Sequence, residues 1–447
     1  MGVDSEPGFD KREQIVADKA DAVVIGAGVI GSAITFELAR RGRSVICVDA
    51  GDGVGAGSTS ASSAIIRFHY STHDSVLTAW ESAAMWLDLS NHLGIEDQAG
   101  MARFVQTGCL VFDFPGTNRP EVLGHFDAVG VPYEELGAGE IKERYPALDV
   151  GDYFPPRSVD DPEFGADPVG EVGGYFTPDA GFIDDPMLAA GNFMNAARHN
   201  GAALRLRSEV VAIRQQGGAV SGVDLASGES IECPIVINVG GPDSGSINAM
   251  AGVTGDMRIN HRPLRQEVFV AQSSAGFGMG EGTIVTDLNL GTYFRPHLGG
   301  TLLIGGTEPD CDPLEWVDDT ADFNVHPTVM GFERSVYRAA RRLPAMGIPS
   351  RPVGLAALYD ASDDWVPLYD KSNLAGFYMA CGTSGNQFKN APMAGIFLAE
   401  LIEAAERGQD HDTEPVQVRG ARTGQTVDLA AFSRLRQPSL TSGTVLG

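Results

Sequence analysis

One stretch near the start of the chain constrains the fold more than any other. The apolar run Ala22–Ile25 leads into the sequence GAGVIG at Gly26–Gly31. A helical pattern follows, and then a second apolar run, Ser44–Val48, which leads directly to Asp49. This order of strand, glycine turn, helix, strand and acidic residue predicts a Rossmann-type dinucleotide-binding unit.

The residues of this unit have distinct predicted roles. Gly26 allows the tight turn after the first strand, Gly28 lets the backbone approach a pyrophosphate, and Gly31 lets the helix pack close to the sheet. The free N–H groups at the helix N-terminus would bind the phosphates. The carboxylate of Asp49 would accept hydrogen bonds from ribose hydroxyls. The motif does not by itself distinguish FAD from NAD.

Charge and cysteine content narrow the possible functions. The chain has 447 residues and a net charge of −27, which argues against binding nucleic acid or an anionic membrane through bulk charge. Its five cysteines are odd in number and form no CxxC pair. We therefore expect free thiols, a cytoplasmic location and no metal site. No apolar run reaches the length of about 18 residues that would predict a transmembrane helix.

Both ends of the chain are polar. Residues 1–20 lack the apolar core of a signal peptide, so we expect a mobile arm there. Residues 407–447 are also polar, and we expect this C-terminal extension to lie on the surface. The length of the chain allows two or three domains.

Two later segments repeat the nucleotide-binding pattern. Ile235–Ser244 is a buried strand that runs into a Gly-Gly turn, and Gly376–Ala405 reads as a strand, a glycine loop and a long helix. The loop GTSGNQFK, at Gly382–Lys389, precedes a helix with Pro392 in its first turn, where proline is tolerated. Its N–H groups would face developing negative charge, such as that on the pyrimidine edge of a reduced flavin. The alternative is a surface loop before a capped helix.

Five motifs occur along the chain in the order GAGVIG, VDA, GSTSASSAIIR, VINVGGPDS and GTSGNQFKNAP. Together they resemble the FAD-dependent D-amino-acid-oxidase superfamily, and most of all its sarcosine oxidases, dimethylglycine dehydrogenases and glycine oxidases. The resemblance covers roughly Asp21 to Ala405. It implies an α/β (α+β) fold, in which a glutathione-reductase-like Rossmann domain binds FAD. An interleaved substrate domain would be built on a mixed, largely antiparallel sheet.

The resemblance and the strand pattern divide the chain into two interleaved domains. The FAD-binding domain is predicted to contain residues 1–75, 176–250 and 350–447. The substrate-binding domain is predicted to contain residues 76–175 and 251–349.

The resemblance also implies which residues bind FAD in its extended form. They lie in the head motif, in the Ser/Gly-rich segment after it, and in turns that follow later strands. The matching positions are Gly26, Gly28, Ile30, Gly31, Asp49, Ala50, Ser60, Ser63, Ala64, Ile65, Val210, Gly240, Gly241, Gly385, Asn386, Gln387 and Lys389.

The typical reaction of the family oxidises a C–N bond beside a carboxylate, with hydride passing to flavin N5 and water then hydrolysing the imine. The partner implied is a small carboxylated amine similar to sarcosine or another N-methyl amino acid. Arg67 and Lys389 match two cations that bind the substrate carboxylate, where charge-assisted hydrogen bonds would fix its orientation. Tyr359, Tyr293 and Thr307 match positions around the substrate.

Plainer interpretations of these residues stay open. Arg67 would otherwise lie on the surface or contact an FAD phosphate, and Lys389 would only solubilise its helix. Tyr359 and Tyr293 would be core tyrosines with satisfied hydroxyl groups.

Four positions depart from the family pattern. Ala357 stands where monomeric sarcosine oxidases hold the flavin through a cysteine, so we expect non-covalent FAD. Leu303 stands where the same enzymes activate oxygen with a lysine, so the electron acceptor is either O2 or an electron-acceptor protein. Asn386 replaces a family histidine, as Thr307 does, and we expect a substrate preference that differs from sarcosine itself.

Two alternatives keep the fold and change the function. Some members of the superfamily oxidise 2-hydroxy acids, which requires a base, and His69, His261 and His297 are the candidates. Others carry FAD as a subunit of a larger oxidase complex, in which case the extension 407–447 would be a docking element. The oligomeric state is open between a homo-oligomer and such a complex.

Overall fold

The computed structural model of the chain describes residues 18–116 and 119–445. The strands in these ranges are β1 (Asp18–Lys19), β2 (Ala22–Ile25), β3 (Val45–Val48), β4 (Ile65–Ile66), β5 (Phe104–Gln106), β6 (Cys109–Phe112), β7 (Glu134–Leu136), β8 (Gly174–Thr177), β9 (Gly181–Ile183), β10 (Ala203–Arg205), β11 (Val210–Gln216), β12 (Ala219–Leu225), β13 (Ser230–Glu232), β14 (Ile235–Asn238), β15 (His261–Gln272), β16 (Ile284–Asp287), β17 (Thr292–His297), β18 (Thr301–Gly306), β19 (Glu315–Trp316), β20 (Gly354–Ser362), β21 (Leu368–Lys371), β22 (Phe377–Cys381), β23 (Gln417–Arg419) and β24 (Thr426–Asp428). The helices are α1 (Val29–Arg40), α2 (His73–Leu87), α3 (Leu89–Leu93), α4 (Arg119–Val129), α5 (Ala138–Arg144), α6 (Pro186–His199), α7 (Ser244–Ala251), α8 (Val329–Arg342) and α9 (Ala391–Glu406).

A six-stranded sheet contains the head motif. Its strand order is β10-β3-β2-β14-β22-β21, and neighbouring strands are parallel except for the edge pair β21 and β22. Strands β2, β3 and β14 are buried throughout, as expected for apolar runs in a sheet that is covered on both faces. This sheet confirms the predicted Rossmann-type architecture.

Two helices bring their N-termini to one edge of this sheet. Helix α1 follows β2 and helix α9 is the next helix after β22, so both begin at the carboxyl edge of parallel strands. They pack closely, because a Cβ atom on Gly395 of α9 would lie 2.8 Å from the carbonyl oxygen of Ala33 in α1. Ligands of open α/β sheets bind at this edge.

A nine-stranded sheet forms the second large unit. Its order is β19-β15-β18-β17-β16-β6-β8-β7, with β20 also paired to β15. The pair β6 and β16 is parallel and the other pairs are antiparallel. Helix α8 buries Phe332 and Val336 in the core beneath this sheet. The predicted mixed, largely antiparallel sheet is confirmed.

Three segments differ from the elements that the sequence predicts. The sequence from Asp74 to Leu93 has a helical pattern, but the helix is broken at Asp88, whose side chain accepts a backbone N–H at the start of α3. The sequence from Leu204 to Gln215 has the pattern of one strand, but it splits into β10 and β11, which belong to different sheets, because the chain turns at Arg207 (φ +53°). Strand β20 lies in the range 350–447, predicted for the FAD domain, yet it pairs with β15 in the nine-stranded sheet.

The predicted mobile arm is ordered in its last residues. Strand β1 pairs in parallel with β13, and the N–H of Ala20 donates to the carbonyl of Glu232 at 3.0 Å. These backbone hydrogen bonds fix residues 18–20. The rest of the predicted arm, residues 1–17, lies outside the described residues.

The C-terminal extension is not confined to the surface, so that prediction is wrong. Val427, Leu429 and Phe432 are buried in the largest hydrophobic core. Arg434 is 1% exposed and forms ion pairs with three carboxylates, those of Asp256, Asp370 and Asp412. The tail around these residues is mostly polar, and the short run Leu429–Phe432 is too brief to reveal a buried element.

Helices that could cross a membrane are absent from residues 18–116 and 119–445, since none is both long and apolar enough. Each of the five cysteines is a free thiol.

Candidate active site

The turn after β2 accepts only glycine at two positions. Gly26 has φ +111°, and a Cβ atom there would lie 2.3 Å from the carbonyl oxygen of Val239. A Cβ atom on Gly31 would lie 1.9 Å from the carbonyl oxygen of Gly26. Gly28, the N-cap residue, offers no side chain to cap α1. N–H groups in the first turn of α1 therefore lack intrahelical partners at the ligand-binding edge of the sheet.

Asp49 lies beside this turn, directly after β3. Its carboxylate accepts the N–H of Ala27 at 2.6 Å and the N–H of Gly51 at 2.7 Å. Its carbonyl accepts the N–H of Ser208 at 2.8 Å, which brings the start of β11, at Val210, towards the same edge. The carboxylate thus fixes the turn, and lone pairs remain on both oxygens for ribose hydroxyls.

Other residues predicted to bind FAD lie in loops or at the ends of elements. Gly240 and Gly241 follow β14, the neighbour of β2. Ala64 adopts a left-handed backbone (φ +50°), which is uncommon for a residue with a side chain, just before Ile65 enters β4. The Ser60 hydroxyl donates to two carbonyls of its own loop. Ile30 is buried in α1 and Ala50 is exposed. Which of these side chains and backbone groups contact FAD stays a prediction.

The glycine loop after β22 is held by side chains from several elements. Gly385 has φ +68°, and a Cβ atom there would lie 2.2 Å from the ring of Tyr359. The side-chain oxygen of Gln387 accepts the Tyr369 hydroxyl at 3.0 Å. The Asn386 side chain donates to the carbonyl of Trp365 at 3.2 Å. These contacts fix the loop immediately before α9.

Tyr70 connects the two cations that the sequence assigns to the substrate carboxylate. The guanidinium carbon of Arg67 lies 4.9 Å from the centroid of the Tyr70 ring, and Nζ of Lys389 lies 3.0 Å from the Tyr70 hydroxyl oxygen. Arg67 donates to the carbonyls of His69 and Val445, and Lys389 donates to the carbonyl of Asn386. Both cations are buried, with exposures of 5% and 3%. Within residues 18–116 and 119–445, neither forms an ion pair with a carboxylate.

The electrostatics around Lys389 favour an anionic ligand. Burial lowers the pKa of its ammonium group well below the usual range, and the positive charge of Arg67 lowers it further. A carboxylate placed between the two side chains would offset both effects and accept charge-assisted hydrogen bonds. The prediction that these two cations lie together is consistent with this geometry.

The two predicted pocket tyrosines lie close together. The Tyr293 hydroxyl is 2.9 Å from the hydroxyl of Ser63, and a Cβ atom on Gly305 would lie 2.5 Å from the Tyr293 ring. Burial raises the pKa of Tyr359 well above its usual value, and the charge of Tyr293 would raise it further. Both phenols are therefore neutral near pH 7 and can donate hydrogen bonds.

A cavity of about 670 Å³ opens next to this group of residues, although Arg67, Lys389, Tyr293 and Tyr359 are not among the residues that line it. Its lining includes His69, Thr307, Glu308 and part of the C-terminal segment 440–444. The Thr307 hydroxyl is buried and has no hydrogen-bond partner within the described residues. Buried polar groups are nearly always satisfied, so this hydroxyl fits a site that is completed by a ligand.

The three histidines considered as bases differ in position. His69 lines the cavity, but its Nδ1 is hydrogen-bonded to Tyr175, and burial together with Arg67 lowers its pKa to about 3. His261 is hydrogen-bonded through Nδ1 to Asp360 at 2.6 Å. His297 ends β17, where it pairs with Thr301.

His261 and Asp360 belong to a buried cluster with Cys381. The possible ligand atoms of the three residues lie within 4.8 Å of one another, a spacing that would admit a metal ion and that the sequence did not reveal. The second oxygen of Asp360 accepts the N–H of Gly382 at 2.6 Å. The cluster therefore ties β15 and β20 to the start of the glycine loop.

Two residues at the site were missed in the sequence. Tyr70 lies three positions after Arg67, and an aromatic residue so close to a predicted anion-binding arginine was an available signal. Glu308 follows Thr307 directly after β18, and no motif marks it.

Comparisons with known proteins agree with this geometry. Residues 21–401 match the protein family described as DAO, FAD dependent oxidoreductase. The chain is 24% identical to the glycine oxidase of Geobacillus kaustophilus over 87% of this chain and 94% of the relative. It is 23% identical to sarcosine oxidase subunit beta of Rhodobacter capsulatus over 86% of this chain and 84% of that subunit.

Solved structures show the same fold. The structure of L-proline dehydrogenase from P. horikoshii superposes with a TM-score of 0.71 at 24% identity, covering 88% of this chain and all of that one. The family match spans most of the chain, from the first strand of the Rossmann sheet into α9. The protein therefore belongs to the family of FAD-dependent oxidoreductases, and FAD is its cofactor.

Proposed function

We propose that the protein oxidises the C–N bond of a carboxylate-bearing secondary amine or amino acid. The observation that carries the proposal is the pair of buried cations, Arg67 and Lys389, which meet at Tyr70 without a carboxylate partner among the described residues. Such a pair is unfavourable until an anion binds, so a substrate carboxylate supplies the missing charge.

The residues at the carboxyl edge of the Rossmann sheet fit FAD. The first turn of α1, whose N-cap residue Gly28 has no side chain, would hold the pyrophosphate, and Asp49 would hold a ribose. FAD supplies the hydride acceptor, and the protein supplies binding and orientation. Ala357 leaves no thiol at the position of covalent attachment, so FAD is bound non-covalently.

The residues around the two basic side chains orient the substrate. Arg67 and Lys389 hold its carboxylate, while the neutral hydroxyls of Tyr359 and Tyr293 shape the pocket beside it. The hydroxyl of Thr307, which has no hydrogen-bond partner among the described residues, can donate a hydrogen bond to the substrate or accept one from it. The amine must react without its extra proton, because an ammonium nitrogen has no lone pair to assist the departure of hydride.

The names of the relatives support an amino-acid substrate. They include a glycine oxidase, a sarcosine oxidase subunit and an L-proline dehydrogenase. Sarcosine and proline are secondary amines that bear a carboxylate. The electron acceptor is O2 or a protein, and Leu303 in place of a lysine leaves both open.

A 2-hydroxy acid is the weaker alternative. Its hydroxyl proton needs a base near neutral pH, and His69, the histidine that lines the cavity, has a pKa lowered to about 3. A role as the flavin subunit of a larger complex is supported by the similarity to sarcosine oxidase subunit beta.

An anaerobic absorbance titration of the purified holoenzyme tests the proposal. The panel contains N-methyl amino acids, free amino acids and 2-hydroxy acids, and the flavin band reports reduction. We expect carboxylated amines to bleach the band, and the admission of air then distinguishes an oxidase from a dehydrogenase. Bleaching by hydroxy acids alone would contradict the proposal. So would the absence of bleaching by every amine, with a partner-dependent subunit as the remaining interpretation, which gel filtration with candidate subunits would examine.

A further inference from the structure

The chain's own C-terminal segment forms part of the wall of the cavity. The stretch 440–444 contributes to the lining, and Val445 is buried beside it with 6% of its surface exposed. The segment is anchored upstream, where Arg436 forms an ion pair with Asp364 at 2.7 Å. A ligand whose carboxylate takes the place of the Val445 carbonyl at Arg67 would therefore displace Val445.

Val445 contacts three different features of the site through three different groups. Its N–H donates to Oε2 of Glu308 at 3.3 Å. Its carbonyl oxygen accepts a hydrogen bond from Nη2 of Arg67 at 2.9 Å. Its side chain packs in an apolar cluster that contains Leu264, Ala361 and Trp365, with Leu288, Trp316 and Tyr359 at its margin.

These are the three contacts that a free α-amino acid would make. The nitrogen, the carbonyl carbon and the side chain of Val445 leave one Cα atom in three directions and meet an acid, a cation and an apolar pocket. A free amino acid would bind the same groups more strongly, because a carboxylate replaces the carbonyl at Arg67 and an ammonium replaces the amide N–H at Glu308.

We propose that Val445 occupies the position of the substrate, and that the substrate is an α-amino acid, or its N-alkyl derivative, with a small branched aliphatic side chain. Its amine would lie against Glu308, its carboxylate against Arg67 and its side chain in the pocket of Leu264, Ala361 and Trp365. This inference rests on the proposed function and adds the amine subsite and the side-chain preference.

The conformation of Glu308 supports a binding role. Its backbone is left-handed (φ +51°), an unfavourable conformation for a residue with a side chain, and such strain is concentrated at functional sites. Burial raises the pKa of its carboxyl group to about 8. Within the described residues it forms no ion pair with Arg67, and the peptide groups of Val445 bridge the two side chains instead.

The side-chain pocket favours apolar substrate side chains, because the residues of its hydrophobic cluster are apolar. Leu264, Ala361 and Trp365 are all buried and belong to one hydrophobic cluster. A branched aliphatic side chain would bury several carbon atoms there, whereas glycine and sarcosine offer none. A carboxylate or ammonium on the substrate side chain would be desolvated without a partner.

The first test compares amino acids on the full-length holoenzyme under anaerobic conditions. We expect L- or D-valine, or N-methylvaline, to reduce the flavin with a kcat/KM at least about tenfold above that of glycine and sarcosine, since each buried methylene contributes to binding. Equal or better reduction by glycine or sarcosine would overturn this inference and leave the proposed function intact. Failure of every carboxylated amine would instead overturn the proposed function.

A binding measurement removes the dependence on turnover. 3-Methylbutanoate has the carboxylate and the branched chain of valine but lacks the amine, and acetate lacks the chain as well. Calorimetry on the oxidised holoenzyme should give a Kd for 3-methylbutanoate at least about tenfold below that for acetate. Equal affinities would overturn the assignment of the apolar pocket.

Glu308→Gln tests the amine subsite without a large change in shape. We expect the KM for the best amino acid to rise about tenfold or more, while the Kd of 3-methylbutanoate stays within about twofold of the wild type, because one charge-assisted contact is lost with the amine alone. Asp322→Asn, which removes a charge from an exposed loop, is the matched control. An unchanged KM, or an equal loss of 3-methylbutanoate binding, would overturn the role of Glu308.

Removal of the competing segment gives the last test. A chain that ends at Ser439 keeps the Arg436–Asp364 ion pair and lacks Val445. We expect its KM for the best amino acid to fall several-fold with unchanged FAD content, because no internal group then competes for Arg67 and Glu308. An unchanged or higher KM would overturn the assignment of Val445 to the substrate position.

Discussion

Buried arginines in this protein fall into two groups that differ in their partners. Arg342 is fully buried and forms an ion pair with Asp287 at 2.6 Å, and Arg338 pairs with Asp312. At the cavity, Arg67 and Lys389 are buried to a similar degree, yet they contact only neutral oxygens within residues 18–116 and 119–445.

The difference in partners indicates different roles, because the first group stabilises the fold and the second group binds a ligand. A buried charge requires compensation, and the Arg342–Asp287 pair supplies it within the chain. Two adjacent basic side chains without an acid are relieved either by loss of the proton from Lys389, whose pKa is lowered, or by a ligand that carries negative charge. The comparison therefore predicts that mutations in the first group affect stability and mutations in the second affect substrate binding.

The largest expected effect is on stability. Asp287→Asn would leave the guanidinium of Arg342 buried without a counter-ion, so we expect the free energy of unfolding to fall by about 3–5 kcal/mol. Urea unfolding of the holoprotein measures it. The double variant Asp287→Asn/Arg342→Met should recover much of the loss, and a decrease below about 1 kcal/mol in the single variant would break the comparison.

Arg67→Met should affect binding instead. Loss of a charge-assisted contact typically corresponds to about 1.5–3 kcal/mol, so we expect the substrate KM to rise roughly ten- to hundredfold while FAD content is retained. The free energy of unfolding should change by less than about 1 kcal/mol, because no buried charge is left behind.

Arg422→Met is the matched control for Arg67→Met. Arg422 also stacks on an aromatic ring, with its guanidinium carbon 3.4 Å from the centroid of Trp80, and donates to a backbone carbonyl. We expect its KM to equal that of the wild type. Loss of FAD from Arg67→Met would show that Arg67 contacts the cofactor rather than the substrate.

Lys389 should take up a proton when a carboxylate binds. Burial and the charge of Arg67 hold the pKa of the free ammonium group well below its usual range, and a bound carboxylate raises that pKa. Between the two values, binding is coupled to protonation, so the affinity for 3-methylbutanoate should fall as the pH rises. Calorimetry in buffers of different ionisation enthalpy measures the uptake. Lys389→Met should abolish it, and proton release in the wild type would contradict this electrostatic account.

The smallest expected effect comes from an exposed ion pair. Lys142 and Glu171 are 50% and 57% exposed, so Glu171→Gln should lower the free energy of unfolding by less than about 1 kcal/mol. Urea unfolding of Glu171→Gln and Asp287→Asn under the same conditions compares the two losses in the free energy of unfolding. A loss equal to that of Asp287→Asn would mean that burial does not decide the strength of these pairs.

The sequence predicted the parts of the fold whose residues are close together along the chain. Gly26 and Gly31 could be assigned because the turn, the helix start and the close packing all depend on residues within one short motif. The pairing of Arg67 with Lys389 was predicted from resemblance, since 322 positions separate them in the numbering of the chain.

The rest depends on contacts that no local pattern encodes. Glu308 meets Val445 across 137 positions, and Val445 meets Arg67 across 378. The burial of Leu429 and Phe432 was likewise not predicted, because they lie in a short run within a mostly polar tail, too brief to establish a hydrophobic period. Contacts of this kind can be identified only in the folded structure.

The central claim is that Arg67 and Lys389 bind the carboxylate of the substrate, and one measurement tests it most directly. The flavin absorbance of the full-length holoenzyme is followed anaerobically while an amino acid or its carboxamide is added at equal concentration. The account predicts bleaching by the amino acid and a rate at least about tenfold lower with the amide, which lacks the negative charge. Equal bleaching by both compounds would contradict it.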